Sequence, residues 1–187
     1  MVKLIHGIRS LAKGSRTMGP LQKELDARMI VSEIVTYGYI LVPITNGKAV
    51  QAVLDEIKGL SSPVLVGYSN GAWAAVQAAE TGAPVDHLVL VSPALHKGHE
   101  FPGHIRRIDV FYSGGDFPTR AAKWWRWVVN WLPWRWDAPH DWGEMGRTGY
   151  TGADPRVRNH PLPSSVGHSW YASPGAVARV ADIVESA

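Results

Sequence analysis

The chain contains no cysteine, and this absence excludes several kinds of chemistry. Disulfide bonds, zinc sites built from thiolates and a cysteine nucleophile are all impossible in these 187 residues. Because cysteine usage is the usual indicator of redox compartment, the sequence indicates none. Any covalent catalysis by this chain must therefore use another side chain.

Long apolar runs are also missing, since no stretch approaches the 18 or so residues that a membrane-spanning helix needs. The first residues, Met-Val-Lys-Leu-Ile-His-Gly, lead directly into a predicted strand. They leave no room for the charged and apolar regions of a signal peptide. We therefore expect no membrane span, and a location in the cytoplasm or in a compartment that the sequence does not identify.

A strong charge of one sign is absent as well, because 19 Lys and Arg residues face 16 Asp and Glu residues. The basic residues are scattered along the chain rather than massed, which favours solubility over nucleic-acid binding, so we expect no nucleic-acid partner. A chain of 187 residues with 45% hydrophobic content can bury one core. We therefore expect a single domain.

Short runs rich in Val, Ile and Leu alternate with segments long enough for helices, which is typical of an α/β protein. The expected architecture is a mostly parallel sheet of about six strands flanked by helices. Strands are predicted at Val2–Ile5, Glu33–Tyr37, Val64–Tyr68, His87–Val91 and Ile108–Tyr112. Helices are predicted at Pro20–Val31, Ala49–Leu60, Ala72–Glu80, Thr119–Leu132 and Pro174–Ser186. Residues 133–167, rich in proline and glycine, are predicted to be mostly loop.

A Gly-x-Ser-x-Gly pentapeptide at residues 67–71 lies between a predicted strand and an alanine-rich predicted helix. Ser69 would occupy a sharp strand-to-helix turn, where the backbones two residues before and after it crowd together. Gly67 and Gly71 provide the small residues that such a turn needs. Ser69 is therefore the predicted nucleophile, and its alternative role is that of an ordinary turn residue ahead of a helix.

Two further reactive side chains follow the predicted strands, where ligands of open parallel sheets bind. Asp116 comes after the strand at Ile108–Tyr112, and His168 shortly precedes the final helix. The order along the chain is therefore Ser, Asp, His.

In these motifs the sequence resembles the α/β-hydrolase superfamily, over nearly its whole length. The residues that carry the resemblance are Gly-Tyr-Ser-Asn-Gly at 67–71, the strand followed by Gly-x-Asp at 114–116, and Gly-His-Ser at 167–169. The scale is similar to that of cutinases and of small hydrolases from actinobacteria and their phages, so the resemblance implies a minimal version of the fold. It implies Ser69 as nucleophile, His168 as base and Asp116 as the acid that orients the base. It also implies an oxyanion hole from the backbone N–H groups of Asn70 and Ile8, and no cofactor.

Each of these assignments has a competitor in the sequence. Asp116 could instead cap a helix, in which case Asp137 or Asp141 would be the next choice of acid. His140 and His160 compete with His168 as the base. Of the remaining acids, Asp86 and Asp109 lie at strand starts, the wrong end of the sheet, and Asp154 is a weaker rival.

Two groups of histidines receive a structural interpretation. His6 is expected to be a structural histidine in the turn that would hold the oxyanion. His96, His99 and His104 are spaced by three and five residues, which matches no metal-binding pattern. We therefore expect surface histidines there and no bound metal.

Seven of the nine tryptophans fall within residues 124–142, and the segment at about 120–145 is a candidate lid or rim. Trp124, Trp127 and Trp131 share one helical stripe and are the candidate substrate-binding residues. The stripe could bind an apolar acyl chain or touch a lipid interface. It could equally be core packing, or an interface in an oligomer whose state the sequence does not predict.

The resemblance implies a serine hydrolase that cleaves a carboxylic ester with a hydrophobic acyl part, whose partner is a small-molecule or lipid-like substrate. A thioesterase, an amidase or an acyltransferase would use the same three residues. The alternative from another class is a binding or virion component that kept the fold without catalysis.

Overall fold

A computed structural model of the chain describes residues 1–8, 14–37, 46–119 and 142–187. Six strands form one sheet in the order β2-β1-β3-β4-β5-β6, and every neighbouring pair is parallel. The expected α/β architecture, with a sheet of about six strands, is therefore confirmed. The strands are β1 Val2–Ile5, β2 Ser32–Val35, β3 Val64–Tyr68, β4 His87–Val91, β5 Arg107–Ser113 and β6 Val157–Leu162.

Helices cover both faces of this sheet. The helices are α1 Ser15–Ala27, α2 Asn46–Ile57, α3 Asn70–Glu80, the short α4 Met145–Thr148 and α5 Pro174–Glu185, with a 3₁₀ turn at Trp170–Ala172. Apolar residues of α2 and α3 bury one face, and those of α1 and α5 bury the other. In the described part of the chain, no helix has the length and hydropathy to cross a membrane.

The central strand β3 shows how the two faces are divided. Leu65 belongs to the apolar cluster under α2 and α3, whereas Val66 and Tyr68 belong to the cluster under α1 and α5. This alternation follows from the two-residue side-chain period of a strand. The small residues of α3 are fully buried and let this helix lie close to the sheet; they are Ala72, Ala74, Ala75, Ala78 and Ala79.

The loop prediction for residues 133–167 is wrong at β6. Val157–Leu162 pairs with β5 along its length, although Arg158 and Asn159 are exposed and Pro161 lies within it. β6 is an edge strand with one neighbour, and an edge strand tolerates both a proline and polar side chains. These residues therefore carry little of the apolar pattern that identifies a buried strand.

Several element boundaries also differ from the prediction, and those of α1 and β2 are two examples. α1 begins at Ser15 rather than Pro20, so the proline lies inside the helix and does not start it. β2 ends at Val35, two residues before the predicted end at Tyr37. The helix predicted at Thr119–Leu132 lies outside the described residues, except for Thr119 in a helical turn at 117–119.

Candidate active site

Ser69 occupies the turn between β3 and α3 with an unusual backbone conformation, φ 55° and ψ −119°. A non-glycine residue rarely adopts positive φ, and such strain persists only where the surroundings impose it. A Cβ atom on Gly67 would lie 2.5 Å from the Ala72 Cα, and one on Gly71 would lie 2.3 Å from the Ile5 carbonyl oxygen. Both glycines are therefore required by close backbone approach.

The backbone of Ser69 is held on both sides by hydrogen bonds. Its N–H donates to the Val91 carbonyl of β4 at 3.0 Å. Its carbonyl accepts from the N–H groups of Ala72 at 3.1 Å and Ala94 at 3.2 Å. These hydrogen bonds attach the strained turn to the neighbouring strand. The Ser69 side chain therefore extends from a backbone that is held in place.

His168 lies between Ser69 and Asp116. Its Nε2 is 3.1 Å from the Ser69 Oγ, and its Nδ1 is 3.0 Å from the Asp116 Oδ2. Because a carboxylate can only accept, Nδ1 carries the proton and Nε2 is left to accept from the serine hydroxyl. The Asp116 carboxyl is fully buried, whereas 18% of the His168 side chain is exposed. The His168 ring is thus open to solvent and the Asp116 carboxyl behind it is not.

The second oxygen of Asp116 has a different partner. Asp116 Oδ1 accepts the Thr119 backbone N–H at 3.1 Å, and the Thr119 hydroxyl donates to the Asp116 carbonyl at 3.2 Å. Asp116 therefore caps the helical turn at residues 117–119 while its other oxygen contacts His168. The two roles that compete in the sequence occur together here, one for each oxygen.

The segment that carries His168 packs on the turn that carries Asp116. Ser113, the last residue of β5, donates its hydroxyl to the Pro163 carbonyl at 3.0 Å. A Cβ atom on Gly115 would lie 2.0 Å from the Ser164 carbonyl oxygen, so the two backbones are in direct contact. The relative position of Asp116 and His168 is therefore set by contacts between their own segments.

His6 and Gly7 follow β1 and lie beside Ser69. A Cβ atom on Gly7 would be 3.1 Å from the Ser69 Cβ. The His6 ring stacks on Tyr37 with centroids 4.0 Å apart, and its Nδ1 donates to the Gly7 carbonyl at 2.8 Å. Burial lowers the pKa of His6, more than the bond to Gly7 raises it, so the ring is neutral at neutral pH.

The two predicted oxyanion donors belong to the segments that flank Ser69. Asn70 begins α3 directly after Ser69, and Ile8 follows Gly7. Backbone N–H groups at the start of a helix have no partner within the helix and favour a negative charge. The surroundings of Ser69 therefore have the polarity that a developing oxyanion needs.

Several solved structures have a fold similar to that of this chain. A protein of the α/β superfamily from Xanthomonas campestris, described as a candidate hydrolase, is similar with a TM-score of 0.60 and 17% identity, covering 100% of this chain and 98% of its own. An esterase domain from a Rhodothermus marinus protein has a TM-score of 0.60 and 10% identity, covering 99% and 85%. A lipase-esterase related protein from Clostridium acetobutylicum has a TM-score of 0.60 and 10% identity, covering 99% and 93%.

This chain has the α/β-hydrolase fold. No protein-family model and no curated protein matches its sequence. In this α/β-hydrolase fold Ser69 follows β3, Asp116 follows β5 and His168 follows β6. All three lie beyond the carboxyl ends of their strands, where parallel sheets bind ligands.

Of the rival acids, Asp109 lies elsewhere in the α/β-hydrolase fold. It is fully buried within β5, where it accepts from His87 Nε2 at 2.7 Å, from His160 Nε2 at 2.6 Å and from Arg107 Nε at 2.6 Å. Burial alone would raise the pKa of Asp109, but these three hydrogen bonds hold it well below its ordinary value. His160, a rival for the base, is thus paired with Asp109.

The other rival residues divide into two sets. Asp86 pairs with Arg106, and Asp154 pairs with Arg156. The carboxylates of Asp86 and Asp154 are therefore paired with arginines and not with His168. Three further rivals lie outside the described residues, namely Asp137, Asp141 and His140.

The histidines near residue 100 do not assemble a metal site in the described part of the chain. His99 Nε2 lies 3.1 Å from Glu80, and its ring packs edge-on against Phe101. Across residues 1–8, 14–37, 46–119 and 142–187, no group of three or more His, Asp or Glu side chains could hold a metal ion.

Trp142 is the one tryptophan of the 124–142 group that lies within the described residues. Its side chain is buried in the apolar cluster under α2 and α3, so it belongs to the core. The candidate substrate-binding residues Trp124, Trp127 and Trp131 lie outside the described residues, as does most of the predicted lid.

The cap from Asp116 to Thr119 is the helix-capping role that the sequence offers for Asp116, because an N-cap residue binds the N–H three positions later. Two other supporting contacts have no sequence signal and are missed by sequence reasoning. They are the bonds from Ser113 to Pro163 and from Tyr68 to His168, which join residues 50 and 100 positions apart.

Proposed function

We propose that the chain is a serine hydrolase that cleaves a carboxylic ester through Ser69, His168 and Asp116. The single observation that supports this most strongly is the continuous hydrogen-bond chain from the Ser69 Oγ through both ring nitrogens of His168 to Asp116. This chain begins at a strained turn between a strand and a helix. Such a turn exposes a nucleophile at the edge of the sheet.

In the first half of the reaction, the Ser69 Oγ attacks the acyl carbonyl while His168 Nε2 takes the hydroxyl proton. Asp116 holds the Nδ1 proton, which fixes the tautomer and stabilises the imidazolium that forms. The protonated Nε2 then donates to the departing alcohol, and the acyl group remains on Ser69. In the second half, His168 Nε2 takes a proton from a water molecule as that water attacks the acyl carbonyl; the bond to Ser69 Oγ then breaks, the proton passes from Nε2 to Oγ, and the carboxylic acid leaves.

The negative charge that develops on the carbonyl oxygen would be held by the backbone N–H groups of Asn70 and Ile8. Donors of this kind contribute about 2.7–4 kcal/mol each to the transition state. The contact between Gly7 and Ser69 supports this role for Ile8, because it brings the backbone after β1 next to the nucleophile.

An ester with an apolar acyl part is the substrate class we favour. Two structurally similar proteins are named as an esterase domain and a lipase-esterase related protein, which supports ester hydrolysis. The apolar stripe of Trp124, Trp127 and Trp131 supports a hydrophobic acyl group. All the groups required are protein side chains, backbone amides and water.

Labelling with a fluorophosphonate tests the nucleophile directly. We expect the native chain to take one label, Ser69→Ala to take none, and the control Ser61→Ala to label like the native chain. Ser61 is an exposed serine before β3, so its replacement by alanine removes only a surface hydroxyl. Failure of the native chain to label, or equal labelling of Ser69→Ala, would show that the proposal is wrong and would favour a non-catalytic binding role.

Hydrolysis of p-nitrophenyl esters tests the bond that is cleaved. We expect turnover of these esters that disappears in Ser69→Ala. A thioester and an anilide with the same acyl group form the comparison. Faster turnover of either one under the same conditions would assign the site to that bond instead.

A further inference from the structure

Tyr68 contacts the histidine of the site in two ways, although it lies next to the serine. It is the last residue of β3, and its side chain is buried. Its hydroxyl donates to the backbone carbonyl of His168 at 3.1 Å. Its ring also lies against the His168 imidazole, with centroids 5.0 Å apart. One side chain therefore joins the strand of Ser69 to both the backbone and the ring of the base.

Tyr68 is held by the sheet on one side and by aromatic packing on the other. Its backbone is in register with Val91 of β4, and its ring packs against Trp170 and Tyr171. Trp170 is itself fully buried. Sheet pairing fixes the backbone of Tyr68, so its side chain links the His168 carbonyl and the rings after it to the sheet.

The segment of His168 needs such a support because it has no helix or strand of its own. Residues 163–169 follow β6 as turns, and Gly167 adopts a φ of 56°. Besides the hydrogen bonds of the His168 ring, two side-chain hydrogen bonds from the described residues reach the backbone of this segment, one from Ser113 to Pro163 and one from Tyr68 to His168. The first attaches it to the strand of Asp116, and the second attaches it to the strand of Ser69.

We propose that Tyr68 is a positioning residue that sets the distance between the His168 Nε2 and the Ser69 Oγ; this rests on the proposed function of the same site. Proton transfer needs heavy atoms within about 2.6–3.2 Å. The observed distance of 3.1 Å is close to the upper end of that range, so a small outward shift of His168 interrupts the transfer.

The chemistry of the hydroxyl suits this task. Burial raises the pKa of Tyr68 above its ordinary value, and the nearby charges of Tyr171 and Asp116 act in the same direction. The hydroxyl therefore stays protonated and donates to the carbonyl at neutral and alkaline pH.

The test compares Tyr68→Phe with Tyr171→Phe. The first variant keeps the ring against His168 and removes only the hydrogen bond. The control removes a hydroxyl from the same aromatic cluster, where Tyr171 makes no side-chain hydrogen bond within the described part of the chain. With p-nitrophenyl butyrate, we expect Tyr68→Phe to lower kcat roughly three- to tenfold with KM unchanged, the effect of one hydrogen bond. Tyr171→Phe should keep the native kcat.

A second readout follows the geometry without any substrate. The proton between His168 Nδ1 and Asp116 should give a low-field resonance in the proton NMR spectrum. We expect this resonance to shift or broaden in Tyr68→Phe and to stay unchanged in Tyr171→Phe. A merely structural role for Tyr68 would lower the melting temperature and leave the resonance and the kcat of the folded variant in place.

The two readouts separate the failure of this inference from that of the proposed function. An inactive native chain would overturn the hydrolase proposal, and the resonance would still decide whether Tyr68 positions His168. Native kcat and a native resonance in Tyr68→Phe would overturn the inference. Equal losses of kcat in Tyr68→Phe and Tyr171→Phe would overturn it as well.

Discussion

Gly115 and Ser164 are in direct backbone contact, so close that a Cβ atom on Gly115 would stand 2.0 Å from the Ser164 carbonyl oxygen. This contact joins the turn before Asp116 to the segment before His168. Real Cβ atoms do not approach an oxygen at that distance, so a side chain at residue 115 must push the two segments apart. The alignment of Asp116 with His168 thus depends on the absence of a side chain at residue 115.

Gly115→Ala should therefore impair the reaction while leaving the sheet intact. A displacement of about 1 Å at such a site can lower the rate about a hundredfold, and we expect kcat/KM to fall by that order. The control is Gly114→Ala, whose Cβ would meet only the Ser164 side-chain oxygen at 3.3 Å and which should stay within a few-fold of the native value. Ester hydrolysis by both variants, with circular dichroism to establish folding, checks this. Similar rates for the two variants would contradict it.

Asp116 and Asp109 should separate catalysis from stability when each is replaced by asparagine. Asp116→Asn can still accept the Thr119 N–H but no longer holds the required tautomer of His168, so kcat should fall about 10⁴-fold. Asp109→Asn weakens the bonds from Arg107, His87 and His160, and should lower the free energy of unfolding by about 2–3 kcal/mol. Ester turnover measures kcat of both variants, and urea unfolding measures their free energy of unfolding. A large loss of kcat in folded Asp109→Asn would contradict our assignment of the acid.

The contribution of Asp109 to stability should depend on pH with a definite sign. Its pKa lies below the ordinary value of 3.8 because the folded state stabilises the carboxylate. A group of this kind stabilises the fold at pH values above its ordinary pKa, and the contribution is lost as the pH falls through the lower, folded pKa. The difference in unfolding free energy between the native chain and Asp109→Asn should shrink as the pH falls below about 4. Urea titrations at stepped pH measure it, and a difference that grows as the pH falls below about 4 would refute this account.

Much of the candidate site follows from local sequence because its members end strands. Ser69 and Asp116 each follow a short apolar run, and parallel strands place their carboxyl ends on one edge. His168 follows β6, a strand that was not predicted because Pro161 and exposed polar residues interrupt its pattern. His168 is indicated instead by its place before the last helix and by the order of the three residues. The prediction of His168 therefore does not depend on the prediction of β6.

The contacts that support the site were beyond sequence reasoning for a physical reason. Tyr68 has the pattern of a core residue at the end of a strand, and nothing local indicates that its hydroxyl meets His168. The pairing of His160 with Asp109 also depends on which strands become neighbours, since β5 and β6 are separated by 43 residues from Ser113 to Val157. Both contacts depend on how distant parts of the chain are placed next to each other. The apolar pattern of one strand does not predict which strand pairs with it.

The tryptophan stripe predicted from the sequence leads to a test of which acyl group the chain prefers. In the helix that the sequence predicts at Thr119–Leu132, Trp124, Trp127 and Trp131 would share one stripe, at spacings of three and four, and Trp125 would lie to its side. If the stripe binds an apolar acyl chain, Trp127→Ala should raise KM for a long-chain p-nitrophenyl ester about tenfold, which corresponds to the loss of one buried aromatic contact. KM for the acetate ester should hardly change, because a two-carbon acyl group does not reach along a helix. Trp125→Ala is the matched control and should resemble the native chain with both esters. Equal effects of the two variants on every chain length, or a native preference for acetate, would remove the acyl-binding role and leave the stripe to core packing or to an interface between copies of the chain.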